Sequence, residues 1–334
     1  MKYNIVFSIP VHEKPEVVFD TILNYTYFNS NCAIVLHIAQ KFDFNNGCID
    51  KETFFRKLSS FKNVFINPKS VRTGYGDIIQ AHIANYQYIK DVIDFDYIAL
   101  GASNDLFIKK GLYDYISPYR AGLKIIPIDE DKTWIAAYKA KEDLDLARML
   151  NDITGKEPII YRSQVEGCFF KKDLFDKMCD LITLHYNYEK TDPKKMYARE
   201  EVYFPSLAMM LEKKEDVLLD NYTYNSVKSP SWTVYSSDIL RILSQDLPYF
   251  CVKRVDRDLN NPIRRYIRDE MGGYGDELKS YAPQAQEYCS EDISNYEKKR
   301  KVLDIRLGII ALIKNSLKRI KPIRDYIGKH KERP

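Results

Sequence analysis

The sequence predicts an α/β fold: a doubly wound, mostly parallel sheet flanked by helices. Apolar runs of strand length alternate with amphipathic segments of helical period along residues 4–256, which is typical of parallel sheets with helical crossovers. The run at 97–100 is continuous and apolar, as expected of a strand buried on both faces. Small and polar residues follow it at 101–105, where open α/β sheets bind ligands.

Each element is predicted from its periodicity. Strands are expected at 4–11, 33–38, 64–66, 97–100, 123–128, 161–170, 232–234 and 249–252. Helices are expected at 15–27, 78–89, 108–119, 142–150, 172–186 and 198–211. The chain becomes polar and rich in loops after Asp256, so a catalytic domain is predicted at 1–270 and a C-terminal extension at 271–334.

Composition and charge limit the classes of protein. Contents of 45% hydrophobic and 29% charged residues are ordinary for a soluble globular protein. Residues 298–334 carry 13 Lys and Arg against 3 acids, so the net charge of +4 belongs to this tail and the remainder is acidic. A basic body that binds nucleic acid is therefore not expected.

The cysteines and the amino terminus indicate the compartment. The six cysteines are scattered without CxxC or paired spacing, which is typical of reduced thiols and not of a disulfide frame or a zinc site. The amino-terminal apolar run ends before His12 and is too short for a signal peptide or an anchor. We therefore expect a cytoplasmic protein.

Six short segments, in order over residues 4–256, resemble one family. They are Val11-His12, Arg72-x-x-Tyr75-Gly76 with Ile79-Gln80-Ala81, Asp96-Tyr97 with Asp105-Leu106, Glu166-Gly167-Cys168-Phe169-Phe170, Glu200-Glu201-x-x-Phe204, and Phe250-Cys251-Val252-Lys253-Arg254. Together they resemble the core-2/I-branching β-1,6-N-acetylglucosaminyltransferases and the related peptide xylosyltransferases, in a bacterial form. The chain departs from that pattern at Ala39, where the family has Asp, and at Asp77 and Phe107, which replace a glycine and a proline.

The resemblance implies a GT-A-like fold and an inverting glycosyltransferase. It assigns the catalytic base to Glu201, near the start of the 198–211 helix. Glu200 is the alternative base, and an acid at this position can instead complement the helix dipole. Lys253 and Arg254 are expected on the departing diphosphate, because Arg binds phosphate bidentately and Lys acts as a mobile point charge.

Further site residues are expected around the nucleotide and the sugars. Val11, His12, Glu13 and Arg72 are predicted on the nucleotide side, and Asp105 and Glu166 are predicted near sugar hydroxyls. His37 and His82 are assigned to the strand and the core.

No cofactor is expected, because the UDP-sugar is a co-substrate. No metal is expected either. The pair Asp94 and Asp96 has Asp-x-Asp spacing but precedes its strand, and so belongs to the wrong edge of the sheet. Asp129 and Asp131 follow the 123–128 strand and define the alternative, a metal-dependent GT-A glycosyltransferase. A second alternative is a non-catalytic protein that binds a glycan or nucleotide at the membrane surface.

The tail at 298–334 mixes apolar side chains with Lys and Arg, and no uncharged run in it can span a bilayer. It is expected to lie on the anionic inner face of the plasma membrane, or to pack on the body or on a second subunit. Arg306 interrupts its apolar side.

The predicted partners follow from these assignments. They are a UDP-sugar, with N-acetylglucosamine as the first expected sugar, a hydroxyl of a bacterial surface glycan, and anionic lipid. The sequence leaves open whether the acceptor is lipid-linked and whether the chain forms a homo-oligomer.

Overall fold

The computed structural model describes residues 2–12, 14–40, 42, 44, 47–74, 76–130, 135–154, 158–186, 196–226 and 233–319, with the backbone alone at 135, 136, 154 and 314–319. The strands in these ranges are β1 (Lys2–Val11), β2 (Cys32–Ile38), β3 (Val64–Ile66), β4 (Asp94–Leu100), β5 (Leu106–Phe107), β6 (Ala121–Gly122), β7 (Ile126–Pro127), β8 (Tyr161–Arg162), β9 (Phe169–Lys171), β10 (Val217–Leu218), β11 (Thr223–Asn225) and β12 (Cys251–Lys253). The helices are α1 (Pro15–Phe28), α2 (Lys51–Leu58), α3 (Ile78–Ile89), α4 (Leu112–Ile116), α5 (Ile135–Lys141), α6 (Leu144–Thr154), α7 (Lys172–His185), α8 (Glu200–Leu211), α9 (Ser236–Ser244), α10 (Pro262–Arg265), α11 (Gly275–Tyr281) and α12 (Ser290–Arg319).

The central sheet has the strand order β10-β6-β9-β4-β1-β2-β3. Strand β9 runs antiparallel to β4 and β6, and the other neighbouring pairs are parallel. Two smaller sheets have the orders β11-β12-β5 and β7-β8. The predicted fold class, a mostly parallel sheet flanked by helices, is confirmed.

Strand β1 faces two apolar cores. Ile5, Phe7 and Ile9 pack in a core that includes side chains of α1, α2 and α11. Val6 packs in a second core, which includes side chains of α3, α6, α7 and α8. Because successive residues of a strand point to opposite faces, Ser8 and Pro10 share the face of Val6. This alternation brings polar groups of β1 under α3.

Several predicted elements differ from the structure. The predicted 123–128 strand forms only in part. Its residues 126–127 make β7, which pairs with β8 in a separate sheet, whereas β6 of the central sheet ends at Gly122. The 161–170 strand resolves into β8 and β9 with a loop between them. The helix at 108–119 shortens to α4, which begins after Gly111 at a φ of 95°. Residues 233–234 form no strand, and Trp232 lies outside the described residues.

A buried ion pair anchors the later helices on α1. Arg264 of α10 donates to Asp20 at 2.6 Å, and both side chains are fully buried. The Arg264 Nε also donates to the carbonyl of Asp256 at 3.1 Å. The domain boundary near residue 270 stays a prediction, but Tyr274 and Leu278 lie in the same core as α1.

Helix α12 is the basic C-terminal helix that the sequence predicts. Ile293, in its first turns, packs against the core that contains Val255 and Ile263. None of the helices in the described part of the chain combines the length and the apolar character that a membrane crossing requires.

Candidate active site

A cavity of about 760 Å³ opens at the carboxyl ends of β1 and β4. These strands are parallel neighbours, so their ends meet at one edge of the sheet, where open α/β folds bind ligands. The lining side chains and backbone come from the ends of these strands, the start of α3, the loop before β9, the start of α8 and the segment after β12. Those residues are Pro10, His12, Thr73, Gly74, Ile78, His82, 101–104, Val165, Glu166, Glu200, Glu201, Thr233 and 253–257.

Glu201 reaches the cavity from the first turn of α8. Pro205, four residues later, lies inside this helix and has no amide hydrogen to donate to the Glu201 carbonyl. That carbonyl instead accepts from the amide of Ser163 at 2.8 Å. The loop that leads to Glu166 is therefore tied directly to the residue predicted as the base.

The two neighbouring glutamates at this helix start have different surroundings. Burial, with a smaller contribution from Glu166, raises the pKa of Glu201 to about 7, while Lys253, Arg162 and Arg254 oppose the increase. Burial raises the pKa of Glu200 to about 8. A carboxyl whose pKa lies near the working pH is suited to accept a proton, and Glu201 meets that condition at neutral pH.

Glu166 forms an ion pair with Lys253. The ammonium lies 2.5 Å from Glu166 Oε2, and both side chains are largely buried. Burial alone would raise the pKa of Glu166, but the charge and hydrogen bond of Lys253 outweigh it and lower this pKa. The pair fixes the position of the Lys253 ammonium at the cavity wall.

Gly167 makes the turn at Glu166 possible. Its φ is 91°, a conformation that glycine adopts without strain. A Cβ at this position would lie 2.6 Å from Thr223 Oγ1. The close approach of this turn to β11 sets Glu166 opposite β12, which carries Lys253.

Asp105 lies beneath the cavity lining and not in it. The residue is 1% exposed, and its Oδ2 accepts from the Ala102 amide at 3.1 Å. Burial raises the pKa of Asp105, and Lys253 opposes this increase. The predicted direct contact of Asp105 with a sugar hydroxyl does not fit this burial, whereas Glu166 does line the cavity.

The residues predicted for the nucleotide are divided. His12 and Arg254 line the cavity. Val11 is fully buried in the sheet, where it pairs with Ile38. Arg72 has a side chain that is 77% exposed and lies 3.6 Å from Asp77, so the cavity is reached by Thr73 and Gly74 instead. Glu13 lies outside the described residues.

A buried polar network under the cavity was missed from the sequence. His82 was assigned to the core, but it lines the cavity, and its Nδ1 is 2.9 Å from Ser8 Oγ. Asn85 donates to the same hydroxyl at 3.0 Å. Burial lowers the pKa of His82 to about 3, so the imidazole is neutral. By contrast, His37 is a buried strand residue as assigned, and it accepts from the Val71 amide at 2.8 Å.

Arg257 was also not predicted, although its position in the sequence offers a signal. It follows the predicted pair Lys253 and Arg254 by three residues and lines the same cavity. Arg162 was missed as well; its charge acts on Glu201, and it ends the short strand β8. No periodicity in the sequence predicts that β8 and α8 lie side by side.

Asp94, Asp96 and Asp129, three of the acids considered for a metal, do not line this cavity. Asp94 and Asp96 occupy the amino end of β4, the opposite edge, where Asp96 pairs with Lys2 at 2.8 Å. Asp129 has a side chain that is 77% exposed and pairs with Lys141, and Asp131 lies outside the described residues. Among the described side chains, no group of three or more His, Cys, Asp or Glu could hold a metal ion.

The sequence is similar to that of a known glycan synthase. It is 24% identical over 164 residues to the chondroitin synthase of Pasteurella multocida (strain Pm70). The matched segment is 47% of this chain and 16% of that protein, so the similarity concerns a small part of the synthase. No protein-family model matches the sequence.

Among solved structures, the fold is similar to that of galactosyltransferase LgtC, described in complex with donor and acceptor sugar analogs. The TM-score is 0.36 at 10% sequence identity, over 87% of this chain and 98% of that one. A TM-score this low supports no inference about function.

Proposed function

We propose that this protein is a glycosyltransferase that moves a sugar from a nucleotide-sugar donor to a hydroxyl of a glycan. The observation that carries the proposal is that Glu201, Lys253 and Arg254 line the same cavity. The pKa of Glu201 is raised to about 7 there. Sugar transfer needs a base for the acceptor and positive charge for the leaving diphosphate. The similarity to part of a chondroitin synthase supports the same class.

In the proposed reaction the sugar is transferred with inversion. Glu201 accepts the proton of the acceptor hydroxyl as its oxygen forms a bond to the anomeric carbon. The bond between that carbon and the phosphate oxygen breaks, and the electron pair leaves with the diphosphate. Inversion requires the base and the diphosphate to lie on opposite sides of the sugar ring.

The cations of the cavity wall stabilise the leaving diphosphate in this proposal. Arg254 supplies a planar donor that can bind two phosphate oxygens. Lys253 has three donors, so it can keep its contact with Glu166 and still donate to a phosphate oxygen. The proposal needs no metal, because Lys253 and Arg254 supply the positive charge at the cavity wall.

The donor of this proposal is a UDP-sugar, with N-acetylglucosamine tested first. Both assignments rest on the resemblance to the core-2/I-branching family. The acceptor is a hydroxyl of a bacterial surface glycan, made at the cytoplasmic side of the membrane.

The test is nucleotide release from a panel of UDP-, GDP- and CMP-sugars, with and without EDTA. Slow release from one UDP-sugar that EDTA does not change is the expected result. Loss of release in EDTA would favour the metal-dependent alternative. If no donor is either hydrolysed or bound, the proposal is refuted and a non-enzymatic role remains.

A further inference from the structure

The second half of α12 exposes a run of large apolar side chains. Between 302 and 313, seven such residues are between 38% and 69% exposed. They are Val302, Leu303, Ile305, Ile309, Ile310, Leu312 and Ile313. An exposed apolar surface of this size usually marks an interaction site, so the contacts of α12 and its charges decide which partner fits.

The first half of the same helix is held on the body. Glu297 accepts from the amide of Ser236 at 2.6 Å. Arg300 donates to Thr233 Oγ1, and the Tyr235 hydroxyl donates to Asp304. The last of these contacts, at Asp304, falls within the exposed run, and the body fixes the direction in which α12 continues beyond it.

The apolar residues of this run share one side of the helix. Val302, Ile305 and Ile309 follow the spacing of three and four residues that places side chains on one face. Lys301 and Arg306 are exposed among them, and long basic side chains can extend past an apolar face to reach a charged surface.

The charge of this region selects the partner. Residues 298–334 carry 13 Lys and Arg against 3 acids, whereas the rest of the chain is net acidic. A surface that binds this segment must offer apolar depth and negative charge together. A second copy of this chain is less suited, since the same segment repels its own positive charge.

We infer that the 302–313 part of α12 lies in the surface of an anionic lipid bilayer. Apolar burial at the acyl boundary and attraction between Lys or Arg and anionic headgroups provide the binding energy. The inference does not depend on the proposed sugar transfer, because it rests on exposure and charge outside the cavity.

The position of the cavity gives this attachment a consequence. Thr233, which Arg300 contacts, lines the cavity. Val302 follows Arg300 by two residues, a rise of about 3 Å along the helix. Two residues also turn the helix by about 200°, so the apolar side faces away from Thr233 and the bilayer lies across α12 from the cavity.

The experiment is flotation of the full chain with phosphatidylcholine vesicles, with and without about 30 mol% phosphatidylglycerol. The chain should float with the anionic vesicles only. The combined variant Ile305→Gln, Ile309→Gln and Ile313→Gln should reduce the bound fraction by about tenfold or more. Gln keeps high helix propensity, so circular dichroism should be unchanged.

The matched control replaces three exposed apolar residues on other helices. Leu144→Gln, Leu184→Gln and Leu240→Gln together should leave the bound fraction as it is, since these side chains are equally exposed but lie far from the basic segment in the sequence. Charge reversal by Lys301→Glu and Arg306→Glu should remove the preference for anionic vesicles.

Three outcomes would overturn the inference. In the first, the wild type does not float with anionic vesicles. In the second, the wild type and the α12 triple variant bind these vesicles equally. In the third, light scattering shows that the wild type is a dimer and the triple variant is not. Nucleotide release in solution should be the same for wild type and triple variant. A failure of membrane binding is thereby distinguished from a failure of the proposed activity.

Discussion

Glu200 and Glu201 are neighbours in sequence whose side chains meet different groups. Glu200 is 7% exposed, and its Oε2 has no hydrogen-bond partner among the described atoms. Glu201 is less deeply buried, and the positive charges of Lys253, Arg162 and Arg254 lower its pKa. At neutral pH Glu200 is mostly protonated, because its pKa is raised to about 8. Glu201 is the better base of the two.

Replacement of Glu201 by Gln should lower sugar transfer by about 10²- to 10⁴-fold, because the acceptor proton then has no base. Donor binding should be retained, since the amide has nearly the shape of the carboxyl. Steady-state transfer and donor titration measure the two effects. In the matched control, Glu200→Gln, transfer should fall far less. The assignment is wrong if the two variants lose activity equally.

The pH dependence follows from the raised pKa of Glu201. The carboxylate is the active form, and it exists above a pH of about 7. Transfer should therefore rise about tenfold per pH unit below this value and then level off, as for one ionising base. Lys253 lowers the pKa of Glu201, so Lys253→Met should move the midpoint of kcat/KM to higher pH. Lys109→Met, a lysine paired with Asp246 instead, should not move it.

At the residue scale, the sequence could predict the groups that carry an unusual local pattern. The acidic pair at 200–201, the basic pair at 253–254 and Glu166 beside its glycine stand out in the sequence, and all line the cavity. His82 could not be identified, because an apolar helical face gives no sign of which end opens to a cavity. Arg72 was predicted as a site residue, but its neighbours Thr73 and Gly74 line the cavity instead.

At the scale of elements, the Asp20–Arg264 pair joins α10 to α1 and supports the segment after β12. Arg264→Met should lower the free energy of unfolding by about 3 kcal/mol, because it leaves the buried carboxylate of Asp20 with only its longer contact, 4.0 Å, to Arg268. Thermal and urea unfolding measure this change.

The matched control for the buried pair is a surface pair. Asp246→Asn removes a carboxylate that is 93% exposed from its contact with Lys109, and the unfolding midpoint should barely change. Equal effects of the two substitutions would mean that the buried pair does not anchor these helices.

Long helices and the central strands were predictable because their periodicity is strong. The structure has β3 where it was predicted, and α1, α7 and α8 differ only at their ends. The strands of only two residues were not predictable as separate elements. The run at 123–128 is apolar except for Lys124, yet its strand pairs outside the central sheet with β8, a contact distant in sequence that no local pattern predicts.

At the scale of the whole molecule, positive charge and exposed apolar side chains are both concentrated at the C-terminal end of the chain. The body is net acidic, and the positive charge is gathered in 298–334, where α12 also exposes its apolar residues. Composition predicted this segregation. The attachment of the first half of α12 to the segment at 233–236 depends on tertiary contacts, and no local pattern shows it.

The central claim is that the cavity binds a nucleoside diphosphate sugar through its basic wall. Calorimetric titration of UDP into the full chain, with EDTA present, measures this most directly. The wild type should bind one UDP, and Arg254→Met should weaken binding by about tenfold or more, as expected for loss of a charged phosphate contact. Absence of UDP binding in the wild type, or equal affinity in the Arg254→Met variant, would contradict the claim.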